Sequence, residues 1–234
     1  MRFAYLTEPP FNYRDEVDNI TGCDVELARC IFDQIGVRDA VFVEATFAEL
    51  LPGLALGYWE MTTGLFATKL RQEHALFSRP IWALPDGLLV RSEDAHRISG
   101  YGDLADNDAF SLAVVRDQIQ MQSALDLGVK PDRIKVFETY WEAAVAVQSG
   151  QVSASASVAR AHDGYLQGLS TDLACIVVPL AEKAPAYGSF GFTKTNPDFK
   201  AVFDGVLAQF IGGDAHRRLM IGFGFSNDDV DLLL

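Results

Sequence analysis

Apolar and polar positions alternate along this chain in two rhythms. Residues 3–7 form a short apolar run of strand length. Residues 25–35 place Val25, Leu27, Ala28, Ile31, Phe32 and Ile35 at helical spacing, and Gly36 ends that pattern. Residues 40–44 read as a strand, 47–56 as a helix closed by Gly57, and 59–63 as the next strand. This β-α-β-α-β order predicts a mostly parallel sheet covered by helices, an α/β fold.

The same order returns further on. Residues 111–115, 134–137 and 152–157 read as strands, and 118–127 and 140–149 as helices, the second stopped by Gly150. Phe47 precedes Gly57 by ten residues, as Tyr140 precedes Gly150, and each pair brackets one helix with a strand beginning two residues later. Two lobes on one plan follow from this. The extended segments 81–91 and 177–192, punctuated by Pro85, Pro179 and Pro185, flank the second of them. The expected arrangement is an insertion: lobe one from residues 1–85 plus 189–234, lobe two from 86–188, with two crossover strands between them. A helix over 197–211 completes lobe one. Two crossovers make a hinge, and a hinged cleft suits a small molecule.

Charge narrows the partners. The 234 residues carry 19 Lys and Arg against 32 Asp and Glu, a formal net charge of -13. Such a chain repels phosphate backbones and anionic lipid, so nucleic acid and membrane surfaces are poor partners. No apolar run approaches the roughly 20 residues that span a bilayer. No basic region followed by an apolar one opens the chain. Either the protein is cytosolic or its signal peptide has been replaced by Met1. Cys23 and Cys30 fall on one helix with α-carbons about 10 Å apart, too far for a disulfide. The four histidines are scattered, so no metal or cofactor is expected.

No nucleophile elbow, phosphate loop or zinc-protease motif occurs, which favours a binder over an enzyme. The candidate residues follow strands, where loops line the crevice of an open α/β sheet. Arg71, in Thr68-Lys69-Leu70-Arg71, offers a fork that fits a carboxylate with two charge-assisted bonds. Glu8 is held by Pro9 and Pro10 after the first strand and faces a cationic nitrogen in this reading. Phe11, Phe47 and Phe66 fall on the same inferred edge, where aromatic faces attract a delocalised cation.

With these residues in hand, the chain resembles the family 3, polar amino-acid type, solute-binding proteins of ABC importers. The resemblance rests on Pro9-Pro10-Phe11, on residues 21–28 (TGCDVELA), on residues 51–60 (LPGLALGYWE), on Thr68 to Arg71 and on Phe77-Ser78-Arg79-Pro80. It implies a two-lobed periplasmic-binding-protein fold of type II, a periplasmic location, a permease as partner, a monomer, and Arg71 on a ligand's α-carboxylate. Thr68 of the same motif, and Asp117 and Gln118 at the lobe-two turn, join the implied ligand-binding set.

The departures bear on the ligand. The family's amino-acid binders carry an aspartate for the α-ammonium where this chain has Val158, and a Ser or Thr where it has Phe66. The ectoine and hydroxyectoine binders of the family are similar in having a glutamate at the Glu8 position and aromatics at those of Phe11, Phe47 and Phe66. That similarity implies a cyclic zwitterion as ligand, with a polar amino acid as the alternative. A cyclohexadienyl-dehydratase-like enzyme, drawing on Glu138 or Glu142, and a sensory domain of a receptor kinase are the further readings. The end of the chain, Asp228 to Leu234, carries no membrane helix and favours the free binding protein over the receptor.

Overall fold

A computed structural model describes residues 1–167 and 169–234. The chain divides into two compact units, Met1–Ala83 with Tyr187–Leu234, and Leu84–Ala186. In chain order it opens with β1 (Arg2–Tyr5), the hairpin strands β2 (Tyr13–Arg14) and β3 (Ile20–Thr21), and α1 (Cys23–Ile35). There follow β4 (Val41–Glu44), α2 (Phe47–Leu56), β5 (Met61–Phe66), α3 (Lys69–Gln72), β6 (Leu76–Phe77) and β7 (Trp82–Leu84).

β1 pairs in parallel with β4 on one side and β5 on the other. A central strand covered on both faces needs an unbroken apolar run, and Phe3, Ala4 and Tyr5 are all fully buried. α1 turns Val25, Leu27, Ala28, Ile31 and Phe32 inward. Its first N–H groups have no partner inside the helix. They find one in the loop after β1: Cys23 N–H donates to the carbonyl of Pro10 at 2.9 Å, and Asp24 N–H to that of Phe11 at 3.1 Å. Gly22 (φ 123°) permits this approach, because a Cβ there would run into the backbone of Phe11. The loop bearing Glu8 and Phe11 is thereby fastened to a helix end.

The second unit contains β8 (Asp86–Arg91), α4 (Tyr101–Asp106), β9 (Leu112–Val115), α5 (Gln120–Asp126), β10 (Ile134–Phe137), α6 (Tyr140–Gln148), β11 (Ala154–Val158), α7 (Ala159–Leu166) and β12 (Leu173–Val177). Its sheet runs β10-β9-β11-β8-β12. β9 is parallel to β10 and β11, while β8 is antiparallel to β11 and β12. Leu88, Val90, Tyr101, Leu104, Leu112 and Val114 form the centre of its core.

The chain returns to the first unit through β13 (Ala186–Phe192), followed by α8 (Pro197–Phe210), α9 (Asp214–Gly222) and α10 (Asn227–Asp231). The first sheet runs β4-β1-β5-β13-β6, with β7 also on β13. β13 is antiparallel to β5. In both sheets the parallel pairs come from the β-α-β alternation, and the antiparallel ones from the extended crossover segments. Phe3, Phe32, Phe190, Phe192 and Phe203 interlock beneath the first sheet, with Phe192 and Phe203 edge to face at 5.3 Å.

Several boundaries move from the sequence expectation for physical reasons. The strand expected at 59–63 is β5, Met61–Phe66. Trp59 lies outside it because its indole N–H donates to the carbonyl of Leu50 at 2.9 Å and its ring packs under α2. The helix expected at 118–127 begins at Gln120, because Gln118 N–H closes a turn onto the carbonyl of Val115. Among the described residues no helix is long and apolar enough to cross a membrane.

Candidate functional site

Parallel pairing of β4, β1 and β5 brings their carboxyl ends to one edge of the first sheet. Phe47 follows β4, Glu8 and Phe11 follow β1, and Thr68 and Arg71 follow Phe66 at the end of β5. All six expected residues of this unit therefore leave the same edge, the place where open α/β sheets take ligands.

Arg71 is built in from three directions. Thr68 caps α3, its Oγ1 accepting from the N–H of Arg71 at 3.3 Å. The carbonyl of Phe66 accepts both the N–H of Thr68 at 2.9 Å and Nη1 of Arg71 at 3.1 Å. The guanidinium carbon lies 5.2 Å from the centroid of the Phe47 ring. The side chain is only 8 % exposed, so its fork is held rather than free to swing through water. Thr68 thus shapes the loop through its hydroxyl, and its hydrogen bond goes to the backbone.

Glu8 is 9 % exposed. Its backbone is pinned twice: its N–H donates to the carbonyl of Asn12 at 2.8 Å, and its carbonyl accepts from Phe11 N–H at 3.0 Å. The peptide between Pro9 and Pro10 inside this turn is cis. The two backbone hydrogen bonds fix Glu8 and Phe11 relative to each other.

Phe11 and Phe66 do not touch the Phe47 ring; both meet Trp82. The Phe11 and Trp82 rings are 5.3 Å apart, and Phe66 stands edge-on to the indole at 5.5 Å. Phe225, from beyond α9, backs Phe11 at 6.1 Å. A cavity of about 370 Å³ opens beside this group, lined by Phe66, Thr68, Ser78 and Tyr187 among others. Arg71, Glu8, Phe11 and Phe47 are not among its lining residues. That volume falls in the range of small-molecule sites.

Trp82 and its partner Asp24 escaped the reading of the sequence as site residues. Asp24 is buried in α1, and burial raises its carboxyl pKa while four donors pull the other way. These are Thr63 Oγ1 at 2.7 Å, Gly64 N–H at 2.9 Å, Trp82 Nε1 at 3.0 Å and, more weakly, the Cys23 thiol at 3.6 Å. A signal was present: a carboxylate set in the apolar stretch Cys23-Asp24-Val25 must collect donors, and a buried indole N–H must find an acceptor.

In the second unit Asp117 and Gln118 follow β9. Asp117 is exposed and takes a left-handed backbone at φ 62°, a conformation that Asp and Asn tolerate better than most residues. Gln118 is 8 % exposed, and its Oε1 has no hydrogen-bond partner. β11 ends at Val158, which is apolar and buried.

The two glutamates of the dehydratase reading are committed elsewhere. Both carboxylate oxygens of Glu138 accept from Arg116, at 2.6 to 3.0 Å, and that hydrogen bonding holds its carboxyl below the usual range. Glu142 closes a capping box on α6, accepting from the N–H of Thr139 at 3.1 Å.

Comparison with known proteins agrees with this architecture. The solved structure of EhuB in complex with hydroxyectoine matches with a TM-score of 0.86 and 24 % identity, over 99 % of this chain and 90 % of that one. An ancestral arginine-binding protein bound to arginine matches with a TM-score of 0.81 and 22 % identity, over 95 % and 96 % of the two chains. At these identities the likeness is one of fold. A probable amino-acid ABC transporter periplasmic-binding protein of Sinorhizobium fredii is 25 % identical over 97 % of this chain and 77 % of its own length. Residues 1–219 match the sequence pattern of the bacterial extracellular solute-binding proteins, family 3, and the chain belongs to that family.

Proposed function

We propose that this protein is the periplasmic solute-binding component of an ABC importer and that its solute is a small cyclic zwitterion of the ectoine type. The observation that carries this reading is the setting of Arg71. Its guanidinium is buried, directed by the carbonyl of Phe66 and faced by the ring of Phe47. A fork held in this way suits a carboxylate better than a mobile one, since less freedom is lost on binding.

The positive end of the solute falls to Glu8 and the aromatic side chains. A cyclic amidinium spreads its charge over a flat ring, so stacking against Phe11 and Phe66 compensates it without a tight ion pair. Glu8, fixed beside Phe11, supplies the single countercharge. In the second unit the proposal assigns solute contacts to Asp117 and Gln118; the orphaned Oε1 of Gln118 is an acceptor in want of a donor.

A polar amino acid is the second reading, favoured by the relatives that bind amino acids. Val158 speaks against it, because an apolar side chain gives an α-ammonium no anchor. The dehydratase reading is disfavoured because both carboxylate oxygens of Glu138 accept from Arg116 and Glu142 caps α6. The protein acts in this proposal as a monomer that delivers its solute to a membrane permease. Solute binding favours one conformation by differential affinity, and the permease recognises that form.

Isothermal titration calorimetry against ectoine, hydroxyectoine, proline betaine and the common amino acids tests the assignment. Ectoine or hydroxyectoine is expected to bind tightest. Silence with both, alongside tight binding of lysine or glutamine, ends the ectoine reading.

A further inference from the structure

We propose that Trp82 is the positioning residue of the aromatic group, locked in place by Asp24, and that it sets affinity for a cationic solute through Phe11 and Phe66. The proposal rests on the reading of the site given above and deepens it.

The indole occupies a place prepared for it. Gly64 on β5 and Gly188 on β13 are bare beneath it: a Cβ at either would collide with the six-membered ring of Trp82. These two strands pair in register, Gly188 opposite Phe66 and Phe190 opposite Gly64, so the floor under the indole is continuous sheet. A ring packed on bare backbone could still slide. The hydrogen bond from Nε1 to Asp24 at 3.0 Å removes that freedom.

Asp24 is itself immobile. It is 1 % exposed, sits in the first turn of α1, and accepts from Thr63 and Gly64 on β5. Thr63 in turn accepts from Asn12 Nδ2 at 2.6 Å, on the loop that carries Glu8 and Phe11. One network therefore ties the loop after β1, the helix end and β5 to the edge of a single indole. Phe11 and Phe66 then both meet that indole, at 5.3 and 5.5 Å between ring centroids. The orientation of both phenylalanines follows from that of Trp82. Trp59 is the natural comparison: it is equally buried and equally hydrogen-bonded, to Leu50, yet touches neither phenylalanine.

The three tryptophans give three indole N–H signals in a proton–nitrogen correlation spectrum, assigned by single Trp→Phe variants. The expected result is that saturating ectoine moves the Trp82 signal and leaves those of Trp59 and Trp141 nearly still. Trp82→Phe is expected to weaken ectoine binding roughly tenfold in a protein that still melts cooperatively, and Trp59→Phe to leave it unchanged. A still Trp82 signal under saturating ectoine, or unaltered affinity in Trp82→Phe, overturns the proposal. Should the unaltered protein give no heat with ectoine, the ligand assignment fails and the titrations are run with arginine and glutamine. Spectra without solute then separate the two failures. Phe11→Leu and Phe66→Leu must each displace the Trp82 signal and spare that of Trp59, and an unmoved Trp82 signal overturns the positioning role whatever the solute is.

Discussion

The hydroxyl of Tyr140 lies 2.7 Å from Nδ1 of His162, inside the second unit and out of reach of water. The other ring nitrogen, Nε2, lies 3.1 Å from the carbonyl of Gly87, which can only accept. Nε2 therefore carries the hydrogen, and Nδ1 accepts from Tyr140. Protonating Nδ1 would turn the Tyr140 hydroxyl from donor to acceptor and place a charge where no solvent reaches it.

Burial lowers the His162 pKa to about 4. His216 in the first unit is lowered to about 4 as well, by burial and then by Arg217. An unfolded histidine titrates near 6.5. Between those values the unfolded chain binds more protons than the folded one, so stability falls as the pH drops from 6.5 towards 4. Each histidine removes about 3 kcal/mol across that window. Urea unfolding at pH 7 and pH 4.5 measures this. His162→Gln is expected to flatten the pH dependence relative to the unaltered protein, and parallel profiles would contradict the assignment.

Glu8→Gln keeps the shape of the side chain and removes its charge. A hydrogen bond to a charged group contributes about 1.5–3 kcal/mol, so the variant should bind ectoine about ten- to a hundredfold more weakly. Its melting temperature should change little. Calorimetry with unchanged affinity would remove Glu8 from the site.

Gly188→Ala puts a methyl group where the Trp82 ring lies. Overpacking of this kind costs about 1–3 kcal/mol. In a chain of this size that lowers the melting temperature by roughly 2–4 °C per kcal/mol. Gly205, exposed on α8 with nothing near its absent Cβ, is the control: Gly205→Ala should not destabilise. Equal melting of the two variants would contradict the close fit under the indole.

Dehydratase activity should be absent. With both oxygens of Glu138 on Arg116 and Glu142 capping α6, neither carboxyl is placed as a proton donor. Prephenate and arogenate should be recovered unchanged after prolonged incubation. Measurable turnover, abolished by Glu138→Gln, would reverse that conclusion.

What could be read along the chain was what neighbouring residues decide. The helix expected at 25–35 is Cys23–Ile35, because its apolar spacing is a local property. Its two extra residues at the start come from the carbonyls of Pro10 and Phe11, which cap it from a distance in sequence. The helix Ala159–Leu166 has no boundary signal in the sequence, since β11 runs straight into it at Val158 with no turn residue between. The same limit governs the site. Arg71, Glu8 and the phenylalanines were legible as residues that follow strands. The hydrogen bond from Trp82 to Asp24 joins residues 58 apart, and Tyr140 to His162 spans 22. No local pattern announces such pairs; only the demand of buried polar groups for partners does.

Arg71 carries the proposed site, and one titration reaches it most directly. Arg71→Lys retains the positive charge and gives up the planar fork with its two parallel donors. Calorimetry of this variant with ectoine, beside the unaltered protein, is expected to show affinity lower by roughly tenfold or more, with the melting temperature of the free protein nearly the same. Equal affinity in the two proteins would mean that the fork does not hold the anionic end of the solute, and the proposed site would be wrong.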